Sequence, residues 1–453
     1  MKTDFKNRCA IWGAIVVALA LISNCQKKQE ESSVPVVRIL ENAVPAGINA
    51  DIYQWLKEEI PEIEKEMGIK IELESAGIRD EDFKARVALD LKSGRSADVI
   101  GFDQFWVPEF AEARFLLPLD QFLQNWQDRD QYYDTMLAMG SFKGKTYMIM
   151  RQTDVRMLFY HKQILKDAGI PLPWQPKNWD EIIATAEKLK QKFPDIIPLQ
   201  INAGVEMGEA TTMQGFLMLL YGAGGELYDQ SSGKWVISSP AYLQTADFYR
   251  KIYQEKKLAS VELVTSPKAR EKSFELFSKA KIAIYLEGTW FYTSVLKPGE
   301  AWGIKERDSA IGWAKMPGSG AKDAPEFISL SGANGFVISP SSRHPELAWE
   351  VISRLNSLSS LEKLFQKQAF TPPRKDLALS PVVSPDKFIS ETALALLPYT
   401  RSRPGLPEYP EISFHLQLLS EQIITGKYPP AVALQQYREA VERIVGKENT
   451  IQK

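Results

Sequence analysis

Gly144-Lys-Thr-Tyr-Met-Ile-Met-Arg-Gln-Thr-Asp154, Met157-Leu-Phe-Tyr160 and Asn178-Trp-Asp-Glu181 follow one another closely, and these three pieces decide the fold. Lys143-Gly144-Lys145 reads as a hairpin turn, and Thr146 to Arg151 leads out of it as a strand. Met157 to Tyr160 is a second apolar run of strand length. Asn178 with Glu181 three residues on is a capping box: the amide caps the helix start and the carboxylate sits at N3. Ile182, Ala186, Leu189 and Phe193 then recur at helical spacing, so a helix follows.

Working outward, the same alternation of strand and helix holds on both sides. Val36 to Leu40 reads as a buried strand, Ile48 to Glu66 as a helix, and Ile69 to Leu73 as a half-buried strand. Glu81 to Lys92 reads as a helix and Asp98 to Phe102 as a strand. Strands separated by helices imply a mainly parallel sheet covered on both faces. Further on, Ser239-Pro240 opens a helix with Pro at N1, its inner face marked by Leu243, Ala246, Tyr249 and Tyr253. Ile282 to Leu286 and Gly335 to Ser339 read as strands. Pro345 starts a helix striped by Leu347, Val351 and Leu355, and Leu434, Tyr437, Val441 and Ile444 define a terminal amphipathic helix. No repeat or low-complexity linker divides the middle of the chain, so two lobes joined by several crossings are expected rather than beads on a string.

The 453 residues exceed what one core usually supports. With 44% hydrophobic and 25% charged residues the chain is globular in composition, and a net charge of −2 offers no basic surface for nucleic acid. The three histidines stand far apart and the two cysteines, Cys9 and Cys25, both lie near the N-terminus, so no transition-metal site is expected. There is no P-loop and no G-x-S-x-G elbow, and nothing in the spacing of the 57 acidic residues selects a catalytic pair. Gly222-Ala-Gly224-Gly225 reads as a helix stop rather than a dinucleotide fingerprint. No catalytic residue, cofactor or enzyme activity is therefore assigned.

Lys2, Lys6 and Arg8 precede a charge-free run from Cys9 to Ile22, the pattern of a signal peptide over residues 1–24. Ile22-Ser-Asn-Cys25 is similar to a lipobox, with Asn24 where Gly, Ala or Ser is usual. The expectation is lipidation at Cys25 and a polar tether over 25–35 that holds the protein to a membrane of the cell envelope.

Gly144 to Asp154, Leu158-Phe-Tyr160, Lys162 to Gly169, Trp174 and Asn178 to Glu181 together resemble a segment of the family 1 extracellular solute-binding proteins. Ala97-Asp-Val-Ile100 with Leu117-Pro-Leu-Asp120, Gly288-Thr-Trp290, Ser331 to Phe336 and Pro372-Pro-Arg374 fall in the family's order as well. His161, Met150 and Ala333 depart from its usual Asn, Pro and aromatic residue. The resemblance covers residues 36–446. It implies an α/β, two-lobed periplasmic-binding-protein fold, like that of maltose-binding proteins, with three crossings near Met150–Asp154, Ile328–Gly332 and Phe370–Arg374. Lobe one would be 36–150 plus 333–370, and lobe two 151–332 plus 371–453.

The resemblance also implies the lipid-anchored capture component of an ABC importer, a monomer that closes on a sugar and hands it to permease subunits. Sugars want carboxylates, amides and guanidinium for their hydroxyls and a flat aromatic for their C–H face. The candidates are Asn42, Asp103, Trp106, Asp154, Gln214, Glu287, Trp290, Gly332 and Arg374. Trp290 matches the family's stacking aromatic, Asp154 has a hinge ion pair as its structural alternative, and Arg374 can instead pair with Asp376. A non-sugar solute such as a glycerophosphodiester or polyamine, and a secreted glycan-active enzyme, remain the other readings.

Overall fold

The computed structural model describes residues 34–45, 49–368, 370–383, 388, 392 and 394–453. The expected signal peptide, Cys25 and most of the tether lie outside the described residues. The strands that carry the architecture are, in chain order, β1 (Val36–Glu41), β2 (Lys70–Ser75), β3 (Val99–Asp103), β4 (Ile149–Thr153), β5 (Arg156–His161), β6 (Ile197–Gln200), β7 (Ile282–Gly288), β8 (Ile311–Ala314), β9 (Phe327–Leu330) and β10 (Ala333–Ile338). Nine of them build two sheets, ordered β2-β1-β3-β10-β4 and β8-β5-β7-β6, while β9 pairs with the short strands Met316–Pro317 and Thr400–Arg401.

In the first sheet β1 pairs in parallel with β2 and β3, as strand–helix alternation requires, and β10 joins antiparallel to both β3 and β4. Its faces are read off β1 and β3: Val37, Ile39 and Val99 enter one apolar cluster, Leu40 and Ile100 the other. The second sheet does the same with Met157 and Phe159 on one face, Leu158 and Tyr160 on the other. Each sheet is thus the buried middle layer of its own lobe.

Local chemistry explains the elements that opened the sequence reading. Ser141–Phe142 pairs antiparallel with Lys145–Thr146 around Lys143 and Gly144, both at positive φ, the demand of a tight hairpin turn. The Asn178 side chain accepts from the Glu181 amide at 3.0 Å, while the Glu181 carboxylate reaches one residue further back, to the Lys177 amide at 2.9 Å. The helix Trp179–Lys192 follows. His161, buried where the family motif has Asn, bonds the Phe277 carbonyl at 2.8 Å.

One helix face differs from the expectation. In Pro240–Arg250 the buried residues include Tyr242, Ala246 and Tyr249, while Leu243 is 48% exposed. The larger Tyr242 ring takes the inward position because its hydroxyl donates to the Val236 carbonyl at 2.7 Å.

Asp154–Val155 carries the chain from β4 in the first sheet to β5 in the second, and Ser331–Gly332 carries it from β9 to β10. The segment 370–374 differs from the expected third crossing. Phe370, Leu377 and Val383 all pack in the first lobe's core, and Leu396 is in the second lobe's. The chain therefore stays with lobe one well past Arg374.

Candidate functional site

The carboxyl ends of β1, β3 and β7 converge where the two lobes meet, the place an open α/β sheet offers a ligand. From lobe one, β1 delivers Asn42 and β3 delivers Asp103. The Asn42 side chain bonds both the amide and the carbonyl of Ile78, at 3.1 and 2.8 Å, and reaches Asp80 at 3.3 Å. Asn42 thereby fixes the loop that starts the helix Asp80–Lys92. Asp80 is exposed at the start of that helix, and Arg270 of lobe two is among the charges it feels. Loss of hydration among the surrounding protein atoms, then the neighbouring Glu81, pushes its carboxyl up to about 6.

From lobe two, β7 ends in Glu287 and Gly288, and Trp290 follows. Glu287 is fully buried and accepts from Asn202, Gln214, Arg270 and its neighbour's amide at 3.1 to 3.3 Å. With no exposed surface, Glu287 is a holder of Arg270 and Gln214. The Arg270 guanidinium lies 5.0 Å from the Trp290 ring centre, and the Trp290 ring packs against the cores of both lobes. Gln214 sits in a π-turn, Thr212–Phe216, with non-helical backbone angles, and its Oε1 is buried without a partner. Such turns recur at functional sites because they re-aim one side chain.

The lobes touch around this cleft. Arg403, buried, donates to Asp103 of lobe one at 2.6 Å and to Glu209 of lobe two at 3.3 Å, and its guanidinium stacks 4.2 Å from the Phe105 ring centre. Glu209 also accepts from Tyr409 and Ser413; burial pushes its carboxyl up, and Arg403 works against that. Lys297 reaches Asp51 at 3.2 Å and the Lys367 carbonyl at 2.7 Å on another side of the boundary.

Two candidates stand at the crossings. Asp154 pairs with Arg156 and accepts from the Gly332 amide at 2.8 Å. A Cβ on Gly332 would crowd Arg403, Arg156 and Asp154 together. Both residues thus shape the hinge.

Two others lie away from the cleft. Trp106 is wedged among Phe83, Phe102 and Phe110 in the core of lobe one, so its ring faces are taken by packing rather than free to stack on a ligand. Arg374 is buried in lobe one, bound by Asp376, Asp128 and the Asn356 carbonyl. Four of its five N–H groups are bonded within lobe one, which makes it a structural tie there rather than the expected sugar clamp.

Asp80, Arg270, Glu209 and Arg403 escaped the sequence reading. Arg270 carries no local signal beyond being four residues before Phe274. Arg403 lies in a Pro- and Gly-rich stretch, and only the fold brings it to Asp103.

Among solved structures, an ABC transporter solute-binding protein from Thermotoga lettingae TMO, bound with α-D-tagatose, is 23% identical with a TM-score of 0.77, covering 91% of this chain and 100% of its own. The GacH receptor of Streptomyces glaucescens, solved unliganded and with acarbose, is 18% identical with a TM-score of 0.78, covering 91% and 99%. In sequence, a Brucella abortus (strain 2308) protein that carries a provisional binding-protein name is 23% identical over 366 residues, 80% of this chain and 83% of its own length. The family model for bacterial extracellular solute-binding proteins matches residues 46–357. With that match over most of its length, the chain belongs to the bacterial extracellular solute-binding protein family.

Proposed function

We propose that the cleft captures a sugar and that the protein delivers it to the membrane subunits of an ABC importer. The observation that carries this reading is Trp290: an indole at the junction of both lobe cores, flanked by the Arg270 guanidinium. It offers a C–H stacking face beside planar hydrogen-bonding groups, with Asn42, Asp80 and Asp103 supplied by the opposite lobe. The tagatose and acarbose bound by two structural neighbours agree with that chemistry. Ligand bridging the lobes favours the closed form by its differential affinity for it, and the permease would read that form. The lobes of the working clamp are taken as 36–153 with 333–383 and 156–330 with 394–453. Signal-peptide cleavage and lipidation at Cys25 would tether the monomer to the periplasmic face of a membrane of the cell envelope.

A thermal-shift screen over mono- and disaccharides, polyols and phosphodiesters, followed by calorimetry, tests the reading, because a ligand of the native state raises the midpoint. A saccharide is expected to stabilise the protein, and Trp290→Ala to weaken it by about 10- to 100-fold, or ~1.4–2.7 kcal/mol. Stabilisation by phosphodiesters alone, or unchanged affinity in Trp290→Ala, refutes the assignment.

A further inference from the structure

The cleft carries more carboxylates than cations. Asp80, Glu81 and Asp103 stand at it from lobe one and Glu209 from lobe two, with the fully buried Glu287 behind them. Arg403 serves both Asp103 and Glu209. Arg270 is bound to Glu287 and is the cation that Asp80 and Glu81 feel across the gap. Asp154 and Arg156 neutralise each other. Five carboxylates on two guanidiniums leave an excess of three negative charges when all are ionised.

Asp80 and Glu81 are where that excess is least compensated. Among the described residues neither makes an ion pair; Asp80 has the Asn42 amide, and Glu81 stands against the backbone of Gly208 in lobe two. Among the described residues, too, no three His, Cys, Asp or Glu side chains form a metal-holding group. The buried, unpartnered Oε1 of Gln214 adds an acceptor lacking a donor beside the Glu287–Arg270 pair.

We propose, resting on the sugar-capture reading above, that the ligand is a basic sugar: a saccharide bearing a protonated amine, its ammonium against Asp80 and Glu81 and its ring on Trp290. A sugar acid or phosphate would meet uncompensated carboxylates, and a neutral sugar would leave them uncompensated; an ammonium neutralises them. The groups around Asp80 are Arg79, Glu81 and Asp82 on its own helix, Asn42 and Asp103 from the strand ends, and Arg270 from lobe two. The ammonium draws the raised Asp80 carboxyl down, so binding releases protons near pH 6 and tightens as pH rises through that value.

The test is calorimetry on the full chain in detergent with matched sets: glucosamine, N-acetylglucosamine and glucose; galactosamine and galactose; the chitosan disaccharide, its diacetyl form and cellobiose. One amine form is expected to bind at least about tenfold tighter than its neutral counterparts at pH 7.5, with the preference narrowing at pH 5. Asp80→Asn and Glu81→Gln should each reduce that preference, which a merely structural role would not do. A neutral form binding as tightly as its amine overturns the charge inference and leaves the sugar reading standing. Binding of spermidine with no saccharide of either form overturns both.

Discussion

The Arg403 guanidinium donates to the Asp103 carboxylate at 2.6 Å across the boundary between the lobes, from a position 300 residues further along the chain. Arg403 also holds Glu209, so one cation ties a lobe-one strand end to a lobe-two helix start. Removing it would leave two carboxylates near one another with their shared counter-charge gone. Arg403→Gln is therefore expected to destabilise the closed arrangement. Breaking a buried pair costs ~3–5 kcal/mol, and the part exposure of Asp103 puts this case at or below the lower end. Urea unfolding should show the loss, and small-angle scattering a larger radius of gyration. An unchanged midpoint and radius would mean that the lobes are held together elsewhere.

Asp80 makes the stability of the ligand-free protein depend on pH. Its carboxyl is raised to about 6 by loss of hydration and by Glu81, whereas an unfolded Asp titrates near ~3.9. The folded state holds the proton more tightly, so it loses relative stability as pH rises from about 4 through about 6. Asp80→Asn, which cannot ionise, should flatten that part of the profile. Melting temperatures at half-unit pH steps measure it; identical slopes in the two proteins would show that Asp80 titrates like any surface carboxylate.

Gly208 is a point of closure. Its φ of +57° with ψ of −141° suits glycine, and a Cβ there would displace the Glu81 carboxylate of lobe one. Gly208→Ala is expected to strain this turn and push Glu81 aside, loosening the approach of the lobes, with ligand affinity falling by about tenfold. Scattering with and without ligand should show a smaller compaction than in the parent protein. Equal compaction in both would place the closing contact away from Gly208.

The distance between residues explains what could be read in the chain and what could not. Asn178 and Glu181 make a local cap, β1 declares itself as a short apolar run and β2 by alternation, because those signals lie within a few residues. Trp290 followed from its place in an ordered set of motifs. Arg403 and Arg270 did not, since an arginine's partner is chosen by tertiary contact and leaves no mark on its own neighbourhood. The slip from Tyr242 to Leu243 has the same origin. Both residues suit a helix face, and only the Val236 carbonyl decides which turns inward. Trp106 shows the converse limit: an aromatic beside a strand end looks the same in sequence whether it stacks on a ligand or on Phe102.

Arg374 separates folding from binding. It is enclosed by Asp376 at 2.7 and 2.9 Å, Asp128 at 2.9 Å and the Asn356 carbonyl, with the Tyr132 ring 5.7 Å away. Those bonds join the segment after Lys367 to the Arg129–Tyr132 turn within lobe one, and none reaches the cleft. Arg374→Met should leave Asp128 and Asp376 without their cation; removing one partner of a buried pair costs ~3–5 kcal/mol, and the part exposure of both carboxylates puts this case at or below the lower end. Calorimetric affinity of the folded protein should stay within about twofold of the parent, in contrast to Trp290→Ala, which should weaken binding while barely moving the urea midpoint. If Arg374→Met instead lost affinity with its stability intact, the third crossing would lie at Arg374 after all, and its guanidinium would face the ligand.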